Sequence, residues 1–382
     1  RRIKVLSVFG TRPDTIKLAP VVNELSKYPH LIDSVTCGTA QHREMMDQVL
    51  SVFGISPDYD LGVMRDDQTL FDIAERGLRG LREVLERERP DVTLVHGDTS
   101  TAFVGALASF YCKVKVGHVE AGLRTNQKYD PFPEEMNRRL VGCLSDLHFA
   151  PTSEHLGNLL RENFPRSNIY VTGNTVVDAV LAVAATRTGF VDTQLASIDF
   201  TGRRLVLVTA HRRENIGEPL QAICAAVRDV LRDFPDTMAV MPVHPNPRVQ
   251  SMVFRELSGV ERCYLIDPVS YPDMVGLMQK CFMVMTDSGG LQEEAPALGK
   301  PVLVLRRTTE RPEGLRAGTL KLAGVSREGI RIQAGILLSN TEKYRQMAES
   351  PNPYGDGQAS RRIVSGILHH FGMVDERPAD FA

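Results

Sequence analysis

The sequence predicts an α/β protein made of two Rossmann-like domains, each a parallel sheet covered by helices on both faces. Three observations predict it. Short β-branched runs alternate with longer helical patterns along all 382 residues. The runs are apolar at consecutive positions, as strands buried on both faces are. The chain is also longer than one ordinary core serves, at roughly 150–200 residues per domain.

The strand runs fall at 3–8, 34–37, 92–96, 114–119, 147–150, 169–172, 205–209, 238–242, 263–266, 283–286 and 302–305. Helical patterns lie between them, for example at 70–87, 99–111, 219–234 and 290–298. One sheet holding all these strands would be unusually wide, which favours two doubly wound domains. The boundary falls near 186–203, where apolar periodicity stops and a polar stretch precedes the strand Leu205-Val206-Leu207-Val208-Thr209. Near the end, Pro351-Asn352-Pro353-Tyr354-Gly355-Asp356-Gly357 is a turn cluster, and a helix follows over 358–370. The expected division is 1–186 with a C-terminal helix at 358–372, and 187–357.

Composition excludes several classes. With 42% hydrophobic residues the chain is not disordered. With 45 basic and 47 acidic residues, no global field draws it to nucleic acid or to an anionic membrane. No apolar stretch reaches the ~20 residues of a membrane span. The opening Arg1-Arg2-Ile3-Lys4-Val5 is too charged and its apolar run too short for a signal peptide. The 6 cysteines form no C-x-x-C pair and read as small core residues of a reducing compartment. A cytoplasmic protein is expected.

In open parallel sheets, ligands bind beyond the carboxyl ends of the strands. After the first strand stands Gly10-Thr11-Arg12-Pro13-Asp14-Thr15-Ile16-Lys17. A glycine turn entering a helix leaves backbone N–H groups and a positive dipole end, and Arg12 and Lys17 add charge. This suits a phosphate or carboxylate, or else it is an ordinary strand–helix turn with two solvated cations. It is neither G-x-G-x-x-G nor a P-loop, which disfavours a dinucleotide oxidoreductase or a P-loop NTPase. Gln41-His42-Arg43 follows the second strand as a ligand contact or a solvated helix start. Asp98 follows 92–96 at a helix entry, where an N-cap is the bland role. Glu120 follows 114–119 before Ala121-Gly122, where a cap explains it less well. Glu134 and Glu135 open a helix after Pro131-Phe132-Pro133, and helix-dipole charge accounts well for one of them.

Asp98, Glu120 and Glu134 are thus three carboxylates at strand ends that can meet in one cleft. Like charges at close range raise at least one pKa and provide an acid or base near neutrality. Three carboxylates also suit a metal, but no D-x-D and no histidine at ligand spacing accompany them, so no metal is expected.

The second half is rich in donors. His211-Arg212-Arg213 follows 205–209, and His244 follows 238–242. Asp287-Ser288-Gly289-Gly290 follows 283–286 and leads into a helix bearing Glu294. Small residues there admit a diphosphate to the backbone, and Glu294, one turn on, can accept from ribose hydroxyls. A simple N-cap with tight packing explains Ser288, Gly289 and Gly290 equally well. Arg306-Arg307-Thr308-Thr309-Glu310-Arg311 follows the last strand and can close the site. Acid–base candidates in one half and a diphosphate-and-ribose site in the other suggest two domains facing across a cleft, the GT-B architecture of nucleotide-sugar enzymes.

The motifs from Gly10-Thr11-Arg12-Pro13, through His96-Gly97-Asp98-Thr99, Gly117-His118-Val119-Glu120-Ala121-Gly122 and Pro133-Glu134-Glu135-Met136-Asn137-Arg138, to His211-Arg212-Arg213-Glu214, Ser288-Gly289-Gly290 and Thr309-Glu310-Arg311-Pro312-Glu313 carry a resemblance over nearly the whole chain. In number and order they resemble the bacterial-type non-hydrolysing UDP-N-acetylglucosamine 2-epimerases. The resemblance implies reversible conversion of UDP-GlcNAc to UDP-ManNAc by elimination of UDP to 2-acetamidoglucal and re-addition. It implies no metal or nicotinamide cofactor, a homodimer, and supply of ManNAc units for cell-surface polysaccharide. It places Asp98, Glu120, Glu134 and His211 in catalysis. Arg12, Lys17, Gln41, His42, Arg138, Arg212, His244, Ser288, Gly289, Gly290, Glu294 and Arg311 fall at positions for UDP or substrate. Which carboxylate removes the C2 proton stays open. Asp14-Thr15 stands where the family commonly has Glu-Ala. Glu44 and Asp67 replace a Gln and an Arg that in some members help bind an activating second UDP-GlcNAc, so weaker substrate activation is expected. The competing readings are a 2-epimerase of a related UDP-2-acetamido sugar and a GT-B glycosyltransferase.

Overall fold

The computed structural model describes residues 2–39, 43–63, 68–186 and 189–382, with the side chains of 43–45 left out. The chain divides into two compact units. The first runs to Ala179 and takes in Gly355–Ala382; the second is Val180–Tyr354. The division falls inside the helix Thr175–Thr186, earlier than the boundary read from composition. The loss of apolar periodicity marks where that helix ends, whereas the change of packing partners occurs midway along it.

The first unit is a seven-stranded parallel sheet in the order β3-β2-β1-β4-β5-β6-β7. Its strands are β1 (Ile3–Phe9), β2 (Ile32–Gly38), β3 (Tyr59–Asp60), β4 (Val92–His96), β5 (Lys115–Val119), β6 (Leu147–Ala150) and β7 (Ile169–Val171). Leu6 pairs with Val35 on one side and Thr93 on the other. The central strands are apolar on both faces because helices cover both; Leu6, Val8, Leu94 and Phe149 are all buried. The helix Ala359–His370 returns to this unit and sets Ile363, Val364, Ile367 and Leu368 into the core with Phe149 and Tyr170. Full burial of each such side chain stabilises by roughly 1.5–3 kcal/mol. Asp178 starts this helix by accepting from Ala359 N at 3.2 Å and Ser360 N at 2.8 Å. Beyond it, Asp380 accepts from Val171 N at 3.1 Å, and Phe381 N donates to Val171 O at 2.8 Å. The tail therefore satisfies backbone groups of an edge strand that would otherwise stand open.

The second unit is a six-stranded parallel sheet in the order β10-β9-β8-β11-β12-β13. Its strands are β8 (Arg204–Thr209), β9 (Thr237–Pro242), β10 (Cys263–Ile266), β11 (Met283–Thr286), β12 (Val302–Val304) and β13 (Leu320–Leu322). Ile223, Val227 and Val230 of the helix Glu218–Asp233 pack with Val206, Met241, Met285 and Leu303 in one core. Asp229 of that helix takes Arg327 in a bidentate pair at 2.6 and 2.8 Å, tying in the helix Arg327–Ser339.

Both sheets are doubly wound. Strand order reverses between β1 and β4 in the first and between β8 and β11 in the second. Those reversals open a crevice at the carboxyl ends of the strands. β3 and β13 carry no apolar run long enough to mark them in the sequence; each is two or three residues at a sheet edge. Of the cysteines, Cys37, Cys224 and Cys281 are buried as expected of core residues, but Cys143 is exposed. Among the described residues no helix is long and apolar enough to cross a membrane, and no group of three or more His, Cys, Asp or Glu could hold a metal ion.

Candidate active site

The first unit gathers its candidate residues at the reversal between β1 and β4. β5 ends at Val119, and Glu120 follows with φ +63°, a left-handed conformation that a residue with a Cβ adopts at a cost of roughly 1–3 kcal/mol. Its neighbours hold it there. Ala121 N donates to Phe149 O at 3.0 Å, and Gly97 N donates to Val119 O at 2.9 Å. Gly122 is required, since a Cβ there would stand 2.5 Å from His155 O. The Glu120 carboxylate receives Lys17 Nζ and, at 2.8 Å, Asn174 Nδ2. His96 Nε2 lies 3.3 Å from its other oxygen. Burial favours the neutral acid, but Lys17, reinforced by Asn174, outweighs it and holds Glu120 well below the usual carboxylate range. His96 is itself neutral near pH 7, because burial pushes it down to about 4.

Asp98 follows β4 and has a different environment. The N-cap of the helix Ser100–Tyr111 is Thr99, whose hydroxyl accepts from Ala102 N at 3.1 Å, so capping does not account for Asp98. Its carboxylate pairs with Arg138 Nη2, and Asn137 Nδ2 donates to its backbone oxygen at 2.9 Å. Burial raises the Asp98 pKa, Arg138 opposes this, and the Glu120 charge adds to the rise. His118 donates Nε2–H to Gly97 O at 2.8 Å and so fixes the turn between β4 and Asp98.

The two glutamates at the start of the helix Glu134–Leu144 separate cleanly. Glu135 is fully buried and receives Thr125 N at 3.0 Å, Asn126 N at 3.1 Å, Arg139 Nε at 2.9 Å and Arg138 Nη1 at 3.3 Å. It is structural: it folds the preceding loop onto the helix and anchors Arg138. Glu134 has a buried Oε2 with no hydrogen-bond partner among the described residues. It shares a helix face with Asn137 and Arg138, the two residues that grip Asp98.

At the first turn, which the sequence leaves open between an anion site and an ordinary strand–helix turn, the backbone donors are taken from within. Asp14 is buried and takes Thr11 N at 2.7 Å and Gly10 N at 3.3 Å with its own carboxylate. Those N–H groups are therefore engaged internally. Burial drives Asp14 up to about 6 despite these bonds. Arg12 stands in the first helical turn, half-buried, and Lys17 is committed to Glu120. Gln41, His42 and Asp67 lie outside the described residues, as does the Glu44 side chain.

The second unit gathers its candidates at the reversal between β8 and β11. Thr209 and Thr286 join hydroxyls at 2.6 Å across the two strand ends. Asp287, fully buried, accepts through one oxygen from His211 N, Arg212 N and Asn215 Nδ2, each at 2.9 Å. Its other oxygen lies 3.3 Å from His211 Nδ1. The His211 ring stacks on His244, with centroids 5.4 Å apart and planes 8° off parallel. Burial lowers the His211 pKa, and Asp287 opposes that shift. Ser288 occupies the N-cap of the helix Gly289–Ala297 without making a side-chain cap bond. Its backbone N–H goes to Thr286 Oγ1 at 2.9 Å. No cap side chain thus covers the start of this helix, where its positive dipole end favours an anion. Glu294 is buried, with Oε1 3.6 Å from where a Cβ on Gly290 would be. The Arg311 guanidinium lies 3.0 Å from where a Gly289 Cβ would stand, and it pairs with Glu293 at 2.9 Å. Gln292 fastens this segment by donating to Ser288 O at 3.0 Å and accepting from Thr309 Oγ1 at 2.6 Å.

Sequence reasoning did not nominate Asp287, Asn174 or Asn215. Asp287 had a signal, since it follows an apolar strand just as Asp98 does. The two asparagines also stand shortly after strands, β7 and β8, but their partners are distant in sequence, so position alone did not assign them a role.

Comparison with known proteins identifies the family. Residues 23–368 match the family model for UDP-N-acetylglucosamine 2-epimerase. The chain is 50% identical over 381 residues to the Bacillus subtilis UDP-N-acetylglucosamine 2-epimerase, covering 100% of this chain and 99% of that protein. Among solved structures, the Neisseria meningitidis UDP-GlcNAc 2-epimerase bound to UDP-GlcNAc is 47% identical with a TM-score of 0.87, over 96% of this chain and 100% of that one. The Staphylococcus aureus MnaA–UDP structure is 45% identical with a TM-score of 0.88, over 100% of both chains. A match of this length and identity, on a chain with two doubly wound sheets, places the protein in the UDP-N-acetylglucosamine 2-epimerase family.

Proposed function

We propose that the protein interconverts UDP-GlcNAc and UDP-ManNAc by eliminating UDP to 2-acetamidoglucal and adding it back with the opposite configuration at C2. The observation that carries this reading is the pair Asp98 and Glu120. Two carboxylates near one another are pushed apart in acidity, Glu120 down by Lys17 and Asp98 up by burial. A C2 proton is very weakly acidic, and its removal must accompany loss of UDP from C1. Asp98 suits the group that exchanges the proton. Glu120 suits a fixed anion, since its protonation would strand Lys17 beside a neutral acid. Glu134, with an uncommitted oxygen, suits exchange on the opposite face. Positioned acid–base groups of this kind contribute roughly 10²–10⁴-fold in rate.

The diphosphate is assigned to Ser288, Gly289 and Gly290 with His211, Arg212, His244 and Arg311, and the ribose hydroxyls to Glu294. Arg138 orients the sugar through Asp98, and Arg12, Lys17, Gln41 and His42 complete substrate binding. The N. meningitidis relative was solved with UDP-GlcNAc and the S. aureus relative with UDP, which supports the ligand class. Elimination to 2-acetamidoglucal and re-addition transfer no hydride, so the proposed route uses no nicotinamide, and no metal is assigned to it. A homodimer, supply of ManNAc units to cell-surface polysaccharide, and weakened activation by a second UDP-GlcNAc complete the proposal.

The test is incubation of the purified protein with UDP-GlcNAc, followed by NMR of the anomeric protons. A signal for UDP-ManNAc is expected, with none from Asp98→Asn or Glu120→Gln. Free ManNAc plus UDP would show a hydrolysing enzyme instead.

A further inference from the structure

The Asp287 carboxylate divides its work between two oxygens. Oδ2 receives three N–H donors at 2.9 Å and fastens the loop from His211 to Asn215. Oδ1 faces His211 Nδ1 at 3.3 Å and shares the His211 N–H through a longer contact of 3.2 Å. Two lone pairs facing at this distance repel, so the carboxylate favours hydrogen on Nδ1, with Nε2 directed away from Asp287. The stacked neighbour is oriented the other way: His244 Nδ1 accepts from Asn246 N at 3.2 Å, which puts its hydrogen on Nε2.

We propose that Asp287 is a positioning residue that holds His211 as the Nδ1–H tautomer and supports its conversion to imidazolium when a nucleoside diphosphate binds. The proposal rests on the epimerase reading for its ligand, but its central readout does not need turnover. In the ligand-free protein His211 is depressed by burial, with Asp287 opposing, His244 and Arg212 adding to the depression and Glu214 countering it. Neutral His211 in this tautomer offers a bare Nε2, which cannot donate to phosphate. Uptake of one proton at Nε2 gives an imidazolium with Nδ1–H on Asp287 and Nε2–H free for the diphosphate. As the C1–O bond breaks, the electron pair stays on the departing phosphate oxygen, and the Nε2–H bond strengthens onto that charge.

Asp287→Asn separates positioning from tethering. Three donors converge on Oδ2, so the amide oxygen must take that place and its NH₂ must face His211. The three shorter loop bonds survive and only the longer branch from His211 N is lost, while Nδ1 becomes an acceptor and the imidazolium loses its partner. Asn215→Ala is the complementary control, because it removes one tether and leaves Oδ1 untouched.

The experiment is ¹⁵N NMR of the His211 ring in the unliganded protein, together with calorimetry of UDP binding in buffers of different ionisation enthalpy. Wild-type protein should show the Nδ1–H tautomer and take up a proton on binding UDP. Asp287→Asn should show the Nε2–H tautomer, lose that uptake, and lower kcat by roughly 10²–10⁴-fold with a much smaller change in KM. Asn215→Ala should keep the wild-type tautomer and proton uptake. An Nε2–H tautomer in the wild type, or the same tautomer in all three proteins, would overturn the proposal. Absence of UDP binding would contradict the functional reading alone, and the tautomer would still decide the role of Asp287.

Discussion

Glu134 and Glu135 are adjacent, chemically identical and opposite in consequence. Glu135 satisfies four donors, and Glu134 leaves an oxygen without one among the described residues. Glu135→Gln should therefore lower stability by on the order of 3 kcal/mol, since Arg138 and Arg139 lose their buried counter-charge. Glu134→Gln should leave the unfolding midpoint near that of the wild type and abolish turnover. Urea unfolding and an activity assay on the two variants check both halves. Asp14 makes a second residue-level prediction. Its pKa rises from an ordinary 3.8 to about 6 on folding, so the folded state holds its proton more tightly than the unfolded state. Its contribution is complete below about pH 4 and is lost as the pH climbs through 6, a difference of about 3 kcal/mol. Asp14→Asn should remove that decline, which appears as a flatter stability profile between pH 4.5 and 7. Sequence showed which of these residues stand after strands, but not how their partners divide them. Glu134 and Glu135 share one local pattern, and only the loop at 125–126 and Arg139 tell them apart.

Thr99 shows how a helix start serves the site at the scale of an element. Its hydroxyl accepts from Ala102 N at 3.1 Å and lies 3.3 Å from Asp14 Oδ2. It thereby joins the turn after β4 to the helix Arg12–Leu25 after β1. Thr99→Ala should cost about 1 kcal/mol for the lost cap. It should also reduce activity, because the backbone that carries Asp98 loses its anchor; thermal unfolding and kcat measure the two effects separately. Most elements were legible because their physics is local. β1, β4 and β11 are short, largely apolar runs, and the helix Gly289–Ala297 opens on Ser288 followed by glycine. β3 and β13 were not, because a two- or three-residue edge strand exists only through pairing with β2 or β12. The first turn stayed open for a related reason. Glycine before a helix signals free N–H groups, but the Asp14 side chain folds back and takes them.

For the whole molecule, a formal net charge of −2 conceals a division of labour. The first unit carries Asp98 and Glu120 after β4 and β5 and Glu134 at a helix start, and the second carries His211 after β8 and the Ser288–Gly290 turn after β11, with Glu294 in the helix that follows. Each set stands where its own strand order reverses, so one topological rule, applied twice, locates both. That rule was readable from the alternation of strands and helices. The opposed acidities of Asp98 and Glu120 were not, because they depend on Lys17, Asn174 and Arg138 arriving from distant parts of the chain. The central proposal is that Asp98 and Glu134, with Glu120 as the fixed anion beside Lys17, exchange the C2 proton with solvent during reversible loss of UDP. Incubating the protein with UDP-GlcNAc in D₂O and recording the NMR spectrum of the product tests it most directly. UDP-ManNAc carrying deuterium at C2 is expected; UDP-ManNAc that retains its original C2 proton would rule out exchange by these carboxylates.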